Sequence, residues 1–243
     1  MILEKQIETF LDGRVRVEQP QSGFRSGLDA VMLAAAVPAQ AGQTALELGA
    51  GTGTASLCLL ARVPGLALRG VEIDKSLTAL AGDNAAANGM QADFACADIF
   101  ALPSELKRDF DQVFCNPPFH GEGQVSPDQA RAVALMDEGR LEEWLGIGLQ
   151  RTVSGGFFTA ILRADRLNQA LAALPEKGVA VFPLWPKAGE AAKRVIVQAR
   201  KGSNAPFALL PGLVLHQVNG AWTPEADDVL RRGNPLALTG GRL

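Results

Sequence analysis

LELGAGTGT, residues 46–54, carries the strongest indication of how this chain folds. It joins an apolar run, which predicts a buried strand, to a helical pattern over residues 54–62 through glycines at positions 49, 51 and 53. Glycine permits positive φ and lets a ligand approach the backbone closely, although a tight strand-to-helix turn would need the same residues. A dinucleotide loop of the G-x-G-x-x-G type would require a small residue at Thr54, so the match to that pattern is incomplete.

Outward from this loop, short apolar runs alternate with helical patterns. This alternation, with short connections, predicts an α/β fold in which a doubly wound, mainly parallel sheet carries helices on both faces. The apolar runs are continuous, as expected of strands that are buried on both sides. The predicted strands are TALELG (44–49), LRGVEI (68–73), ADFACAD (92–98), QVFCN (112–116) and GFFTAILR (156–163), and the predicted helices cover residues 54–62, 75–88 and 141–151.

The two ends of the chain differ from this core. Asp12-Gly13 predicts a hairpin over residues 9–20, followed by a helix that begins near residue 26. Near the far end, Asn219-Gly220 predicts a second hairpin, and Pro224 opens a short helix. We therefore predict a single domain, residues 1–243, made of an N-terminal extension (1–40), a cofactor-binding catalytic core (41–201) and a C-terminal hairpin and helix appendix (202–243).

Composition limits the classes of function. The 243 residues are 47% hydrophobic, and the formal net charge of −3 means that local basic patches would have to hold any nucleic acid. Three cysteines without C-x-x-C spacing and two histidines form no metal-binding pattern, so no metal is predicted. The start, MILEKQIETF, does not fit a signal peptide, and the longest apolar run (30–37) is too short to span a bilayer. We therefore predict a soluble, cytoplasmic protein.

Acidic residues end the next two predicted strands. Glu72 stands where a carboxylate can accept hydrogen bonds from both hydroxyls of a ribose, whereas Asp74 fits a helix cap better. Asp98 stands where it could accept a hydrogen bond from an exocyclic amine, and Ile73 and Ile99 could sandwich a flat ring. A glycine loop, a ribose acceptor and an adenine acceptor at successive strand ends predict a ligand that contains a nucleoside.

The fourth strand ends in Asn116-Pro117-Pro118-Phe119. Prolines cannot donate to a sheet ladder, so the strand has to stop there. The Asn116 side-chain carbonyl and the Pro117 backbone carbonyl offer two acceptors to a planar amine, and Phe119 offers a stacking face. Two acceptors placed tetrahedrally would pull the nitrogen lone pair out of conjugation, so that it could attack an electrophilic methyl group. Alternatively, the prolines only terminate the strand and Asn116 caps a turn.

In this order and spacing, ELGAGTGT, VEID, CADIF and CNPPF resemble the class I S-adenosylmethionine-dependent methyltransferases that modify amino groups. The resemblance implies S-adenosylmethionine as cofactor and a seven-stranded sheet whose last strand runs antiparallel, and residues 178–185 and 194–201 are predicted as its sixth and seventh strands. A helix ahead of the loop could bring Asp29 near the methionine amine, or Asp29 could simply favour the helix N-terminus. The candidate cofactor-binding residues are Glu47, Gly49, Ala50, Gly51, Gly53, Glu72, Ile73, Asp98, Ile99, Asn116 and Asp29, and the candidate catalytic residues are Asn116, Pro117, Pro118 and Phe119.

A narrower resemblance spans almost the whole chain. SGFRSGLDAVMLAAAV (22–37) is similar to the G-[YF]-R-x-x-x-D-A-x-L-L-A stretch of the tRNA(Val) adenine-N6 methyltransferase family, which implies methylation of adenine N6 in tRNA. Familiar members carry Tyr where Phe119 stands, and N-P-P-F-H occurs in ribosomal RNA guanine-N2 enzymes, so a guanine target is an alternative. A glutamine-N5 protein methyltransferase, a nicotinamide oxidoreductase and a non-catalytic cofactor-binding module are further alternatives.

Basic residues concentrate before the predicted last core strand, in PKAGEAAKR. They could contact RNA phosphates, or they could form an ordinary solvated face. Trp185 and Trp222 lie in turn-like segments, where either ring could stack on a base or pack against the sheet edge. The candidate RNA-binding residues are Lys187, Lys193 and Arg194, with Arg200 and Lys201 close to them in sequence.

Overall fold

The computed structural model describes residues 5–21, 26–118, 140–236 and 238, and this part of the chain has the predicted α/β architecture. Every predicted core strand and helix is present, and the largest change is that the fifth core strand begins at Thr152 rather than at residue 156. The strands are β1 (Lys5–Phe10), β2 (Val15–Pro20), β3 (Thr44–Leu48), β4 (Ala67–Glu72), β5 (Ala92–Cys96), β6 (Phe110–Cys115), β7 (Thr152–Arg163), β8 (Val179–Lys187), β9 (Arg194–Arg200), β10 (Ala208–Leu209) and β11 (Leu213–His216). The α-helices are α1 (Leu28–Ala36), α2 (Thr54–Arg62), α3 (Lys75–Ala87), α4 (Leu141–Arg151), α5 (Leu167–Ala173) and α6 (Pro224–Leu230).

The main sheet has the strand order β10–β8–β9–β7–β6–β3–β4–β5. Strands β8 to β5 in this order form the predicted seven-stranded core, and β9 runs antiparallel to both of its neighbours, β7 and β8. The other core pairs are parallel. The short strands β10 and β11 pair in parallel with successive halves of β8 and extend the sheet at that edge.

The parallel register brings the ends of four strands together. Leu48 of β3 pairs with Val71 of β4 and with Cys115 of β6, and Glu72 of β4 pairs with Cys96 of β5. The residues that directly follow these four strands therefore meet at the carboxyl edge of the sheet, where open α/β sheets bind ligands.

Apolar side chains cover both faces of the sheet. Phe114 of β6 lies in a cluster with α1 and α2, whereas its neighbours Val113 and Cys115 lie in a cluster with α4. Successive strand side chains point to opposite faces, so a strand covered on both sides needs an unbroken apolar run. The first cluster also includes Val15 of the N-terminal hairpin and Val229 of α6, so both ends of the chain pack on the core.

The N-terminal hairpin is present as predicted, with β1 and β2 antiparallel and a turn in which Leu11, Asp12 and Gly13 have positive φ. The prediction of a second hairpin is wrong in part. Asn219-Gly220 lies in a turn, as predicted, but the segment after the turn forms only a single bridge, between His216 and Trp222, and not a second strand.

Two kinds of feature are absent from residues 5–21, 26–118, 140–236 and 238. No helix there is long and apolar enough to cross a membrane. No group of three His, Cys, Asp or Glu side chains is placed to hold a metal ion there.

Candidate active site

Two glycines of the loop have different surroundings: Gly49 packs against a ring, and Gly51 borders open space. Gly49 and Gly51 have φ of +70° and +55°, in the left-handed region that favours glycine. A Cβ on Gly49 would lie 2.7 Å from the Trp144 ring, whereas a Cβ on Gly51 would meet no atom within 4 Å. Gly53, also at positive φ, is the N-cap of α2. The loop therefore has room for a ligand at Gly51, whereas at Gly49 the buried Trp144 ring packs against the loop.

The Glu72 carboxylate lies beside this loop and is held by two backbone donors. Its Oε2 accepts a hydrogen bond from the Gly51 N–H at 2.8 Å, and its Oε1 accepts one from the Asp74 N–H at 2.9 Å. Asp74 itself caps α3 by accepting from the Ser76 and Leu77 N–H groups, as expected. Each Glu72 oxygen keeps a second lone pair, so this fixed carboxylate can still accept bonds from two ribose hydroxyls.

The next strand end carries Asp98, and the two isoleucines that are predicted to contact a flat ring differ in exposure. Asp98 is half-buried and accepts a hydrogen bond from the Phe100 N–H at 2.9 Å. Ile73 is 63% exposed, whereas Ile99 is buried in the core. Ile73 directly follows the buried Glu72, and an apolar side chain so exposed at this edge offers a contact surface for a flat ring.

Asn116 directly follows β6, in line with the glycine loop across the sheet. Its side-chain oxygen Oδ1 is buried and accepts no hydrogen bond from any residue in the described part of the chain. Leaving a buried acceptor unsatisfied costs about 1–3 kcal/mol, so a ligand that donates an N–H here would remove that penalty. Pro117 is buried and Pro118 exposed. Phe119, the predicted stacking residue, lies outside the described residues.

Glu47, predicted to bind the cofactor, is buried at the end of β3 and contacts the first turn of α2. Its Oε2 accepts from the Ser56 backbone N–H at 3.1 Å and also from the Ser56 hydroxyl. Burial raises the pKa of Glu47 to about 8, the Ser56 bonds lower it and the Glu72 charge raises it. At neutral pH this side chain is therefore mostly protonated, and the contact that it makes joins β3 to α2.

The structure brings together two residues for which different roles are predicted. Arg194 Nε donates to Asp29 Oδ2 at 2.9 Å, and the two side chains are 29% and 18% exposed. Asp29 is a predicted cofactor-binding residue and Arg194 a predicted RNA-binding residue. Because each is the ion-pair partner of the other, a ligand that binds one of them also perturbs the other.

The remaining cations divide between the two edges of the sheet. Lys187 ends β8 and the exposed Lys193 precedes β9, so both lie at the carboxyl edge, with the site. Lys201, by contrast, follows the far end of β9 and donates to the Gln150 and Thr152 carbonyls. Arg200, which ends β9, also lies at that opposite edge, so the grouping of these cations in the sequence does not persist in the fold.

Sequence reasoning missed Asn84, which ties the N-terminal hairpin to the glycine loop. Asn84 is a buried residue of α3. Its Oδ1 accepts a hydrogen bond from the Glu18 N–H at 2.8 Å, and its Nδ2 donates to the Glu18 and Thr52 carbonyls, each at 3.0 Å. The available signal was the pair Asn84 and Asn88, one turn apart in an otherwise alanine-rich helix.

This chain is similar to known methyltransferases. The model of the methyltransferase small domain matches residues 26–143. A tRNA1(Val) (adenine(37)-N6)-methyltransferase from Porphyromonas gingivalis is 29% identical over 95% of each chain. A protein of the same name from Aeromonas hydrophila is 24% identical over 85% of this chain and 89% of its own.

Solved structures share the fold. A predicted O-methyltransferase from Agrobacterium tumefaciens has a TM-score of 0.70 at 25% identity, covering 86% of this chain and 98% of that one. A 16S rRNA guanine-N2 methyltransferase from Thermus thermophilus, solved with AdoMet and guanosine, has a TM-score of 0.57 at 21% identity, covering 83% of this chain and 51% of that one. The strand order, the glycine loop with its carboxylate, and these matches together identify the chain as a class I S-adenosylmethionine-dependent N-methyltransferase that resembles the tRNA1(Val) adenine-N6 methyltransferases.

Proposed function

We propose that the protein transfers a methyl group from S-adenosylmethionine to N6 of an adenine in tRNA. The observation that carries the proposal is Asn116 Oδ1, a buried acceptor that no described residue satisfies, at the strand end beside the glycine loop. An exocyclic amine has an N–H to donate to this oxygen. The names of the relatives, which specify adenine 37 of tRNA1(Val), favour adenine over other amines.

The chain's own residues divide the work between holding the cofactor and orienting the target. Gly51 leaves open space, Glu72 offers fixed lone pairs for ribose hydroxyls, and Asp98 and Ile73 would hold the adenine ring. When bound, S-adenosylmethionine supplies an electrophilic methyl group. Asn116 Oδ1 and the Pro117 carbonyl would each accept one N–H of the target amine, which directs its lone pair out of the base plane. The amine proton is then lost to solvent, so positioning rather than a general base carries the rate.

Packing supports a single functional unit. One apolar cluster joins Val15 from the N-terminal extension, Leu57 from the core and Val229 from the C-terminal appendix. We infer that residues 1–243 act as one domain, and that the protein works in the cytoplasm on tRNA. A duplex or folded RNA would have to present its target base unstacked, since the acceptor is buried.

Nucleoside analysis tests the proposal. The protein is incubated with labelled S-adenosylmethionine and, separately, with tRNA or ribosomal RNA, and the digested nucleosides are chromatographed. We expect label in N6-methyladenosine from tRNA, and loss of that label when Asn116 is replaced by Ala or when the transcript carries guanine at position 37. Label in N2-methylguanosine from ribosomal RNA would assign a guanine target instead, and the absence of label from the nucleosides of both RNAs would refute an RNA substrate.

A further inference from the structure

A stacked aromatic pair lies at the outer end of the carboxyl edge. The His216 and Trp222 rings are 4.2 Å apart at an interplanar angle of 22°, and both side chains are half-buried, so part of the stack reaches the surface. His216 Nδ1 lies 3.1 Å from the Gly220 carbonyl oxygen. Because a carbonyl can only accept, Nδ1 carries the hydrogen, and this bond fixes the ring orientation. The tip of this turn is exposed, with Val218 at 96%.

Positive charge adjoins this stack. Lys187 is the register partner of His216, and the connection from β8 to β9 carries Lys187, Lys193 and Arg194 against the single acid Glu190. Arg194 is paired with Asp29, but the ammonium groups of Lys187 and Lys193 form no ion pair within the described ranges. A chain with a net charge of −3 thus presents unneutralised positive charge beside its one stacked pair of described rings.

This surface and Asn116 share one edge of the sheet. From β6 to β8 there are three strand steps, through β7 and β9, and β11 lies one step further. At roughly 4.8 Å per step, Lys193 beside β9 lies on the order of 10 Å from the Asn116 strand, Lys187 of β8 on the order of 14 Å and His216 of β11 on the order of 19 Å. An unpaired RNA strand of a few nucleotides covers this separation.

We propose that Lys187, Lys193, His216 and Trp222 form a stacking platform that holds an unpaired base of the RNA substrate a few nucleotides from the target base, with phosphates on the two lysines. This proposal rests on the proposed RNA methylation and specifies how the same site selects its substrate. Aromatic faces interleaved with cations are the common means of binding single-stranded nucleic acid, because every base has a face to stack and every nucleotide a charge.

Binding measurements on the full chain test the aromatic part. The dissociation constant for a tRNA transcript is measured by fluorescence anisotropy for the wild type and for Trp222→Leu, Trp222→Phe and His216→Ala. Stacking on one base predicts a rise of about five- to hundredfold for Trp222→Leu, and less than about threefold for Trp222→Phe, which keeps a ring. Because Trp222 packs against the core, circular dichroism is used to check that each variant folds. If Trp222→Leu unfolds, His216→Ala, at a half-buried position, provides the test of stacking.

Salt titration tests the charged part. Replacing both Lys187 and Lys193 by Ala should reduce the slope of log K against log salt concentration by about 1.4, since each single-strand phosphate contact contributes about 0.7. Lys177→Ala is the matched control, because Lys177 is an exposed lysine that precedes β8 at the opposite edge. Its slope should equal that of the wild type.

The outcomes separate the platform from the reaction. If the wild type methylates RNA and the ring and lysine variants bind tRNA as the wild type does, the platform is refuted while the proposed function stands. If the wild type neither binds nor methylates RNA, the proposed function fails and the platform fails with it. Weaker tRNA binding by these variants, with an unchanged KM for S-adenosylmethionine, supports the platform.

Discussion

Replacing Glu47 by Gln should remove a strong pH dependence from the stability of this protein. Glu47 is only 3% exposed, and its Oε2 accepts two bonds from Ser56. Glutamine has the same shape and can accept the same two bonds through its amide oxygen, but it does not titrate. The substitution therefore isolates the protonation of one buried carboxyl group.

The sign and size follow from its pKa. Burial raises the pKa of Glu47 from 4.5 to about 8, so the folded state keeps a proton that the unfolded state loses. The stabilisation associated with that proton is fully present below pH 4.5 and is lost as the pH rises to about 8. One unit corresponds to about 1.4 kcal/mol, so between pH 5 and pH 8 the wild type should lose about 4 kcal/mol relative to Glu47→Gln.

Urea unfolding, followed by far-ultraviolet circular dichroism across this pH range, measures the difference. Burial also raises the pKa of the Cys58 and Cys115 thiols, and the Glu47 charge adds to both shifts. The ordinary thiol pKa of 9.0 lies above this pH range, so both thiols stay mostly protonated in both proteins and contribute little to the difference. Glu176→Gln, at an exposed position, is the control and should follow the wild type. Parallel curves for the wild type and Glu47→Gln would refute the reasoning, because they would mean that Glu47 ionises normally in the folded state.

Three further predictions concern the crevice. Gly49→Ala should lower the free energy of unfolding by at least about 2 kcal/mol, because the residue has positive φ and the new Cβ would lie 2.7 Å from the Trp144 ring. Gly51→Ala should lower it by only about 1 kcal/mol, but it should weaken the binding of S-adenosylmethionine, which calorimetry measures. Equal destabilisation of the two variants would contradict this assignment of open space. Glu72→Ala should raise the KM for S-adenosylmethionine at least tenfold in a methylation assay, since it removes both the ribose acceptor and the anchor of the Gly51 N–H; an unchanged KM would exclude Glu72 from the site. Asn116→Ala should leave the Kd for S-adenosylmethionine within about twofold and reduce kcat at least a hundredfold, whereas equal loss of both would make Asn116 a support of the pocket.

The sequence was sufficient to predict the core because its signals are local. The apolar run before Gly49, and the acid at Glu72 one strand later, fixed both the strand ends and the edge at which they meet. Parallel strands in such a sheet always present their carboxyl ends together, so the order of motifs along the chain converts directly into neighbours in space. Asp74 could likewise be assigned as a cap from its position alone, and the structure confirms it.

Contacts that join distant segments could not be predicted in this way. The Asp29–Arg194 pair spans 165 positions, and nothing near either residue indicates the other. Lys193 and Lys201 are close in sequence, but the seven-residue strand β9 lies between them and separates them by roughly 23 Å. The apolar pattern of a strand is visible in the sequence. Whether the charged residues before and after the strand lie at the carboxyl edge or at the opposite edge depends on the direction in which the strand runs in the sheet.

Asn116 Oδ1 is one of five buried side-chain atoms that have no hydrogen-bond partner in the described part of the chain, and it directly follows a strand at the carboxyl edge, beside the glycine loop. The chain satisfies both oxygens of Glu72 with backbone donors, yet it leaves Asn116 Oδ1 buried without a donor in the described part of the chain. Selection for stability alone would fill or expose that acceptor, since it costs about 1–3 kcal/mol. A fixed acceptor needs no reorganisation when the amine binds. The hydrogen bond from the amine removes the penalty that the unsatisfied oxygen imposes on the folded protein, and this gain in free energy favours the oriented substrate. We therefore propose that the glycine loop and the acids bind the cofactor, and that the target amine donates to this unsatisfied oxygen.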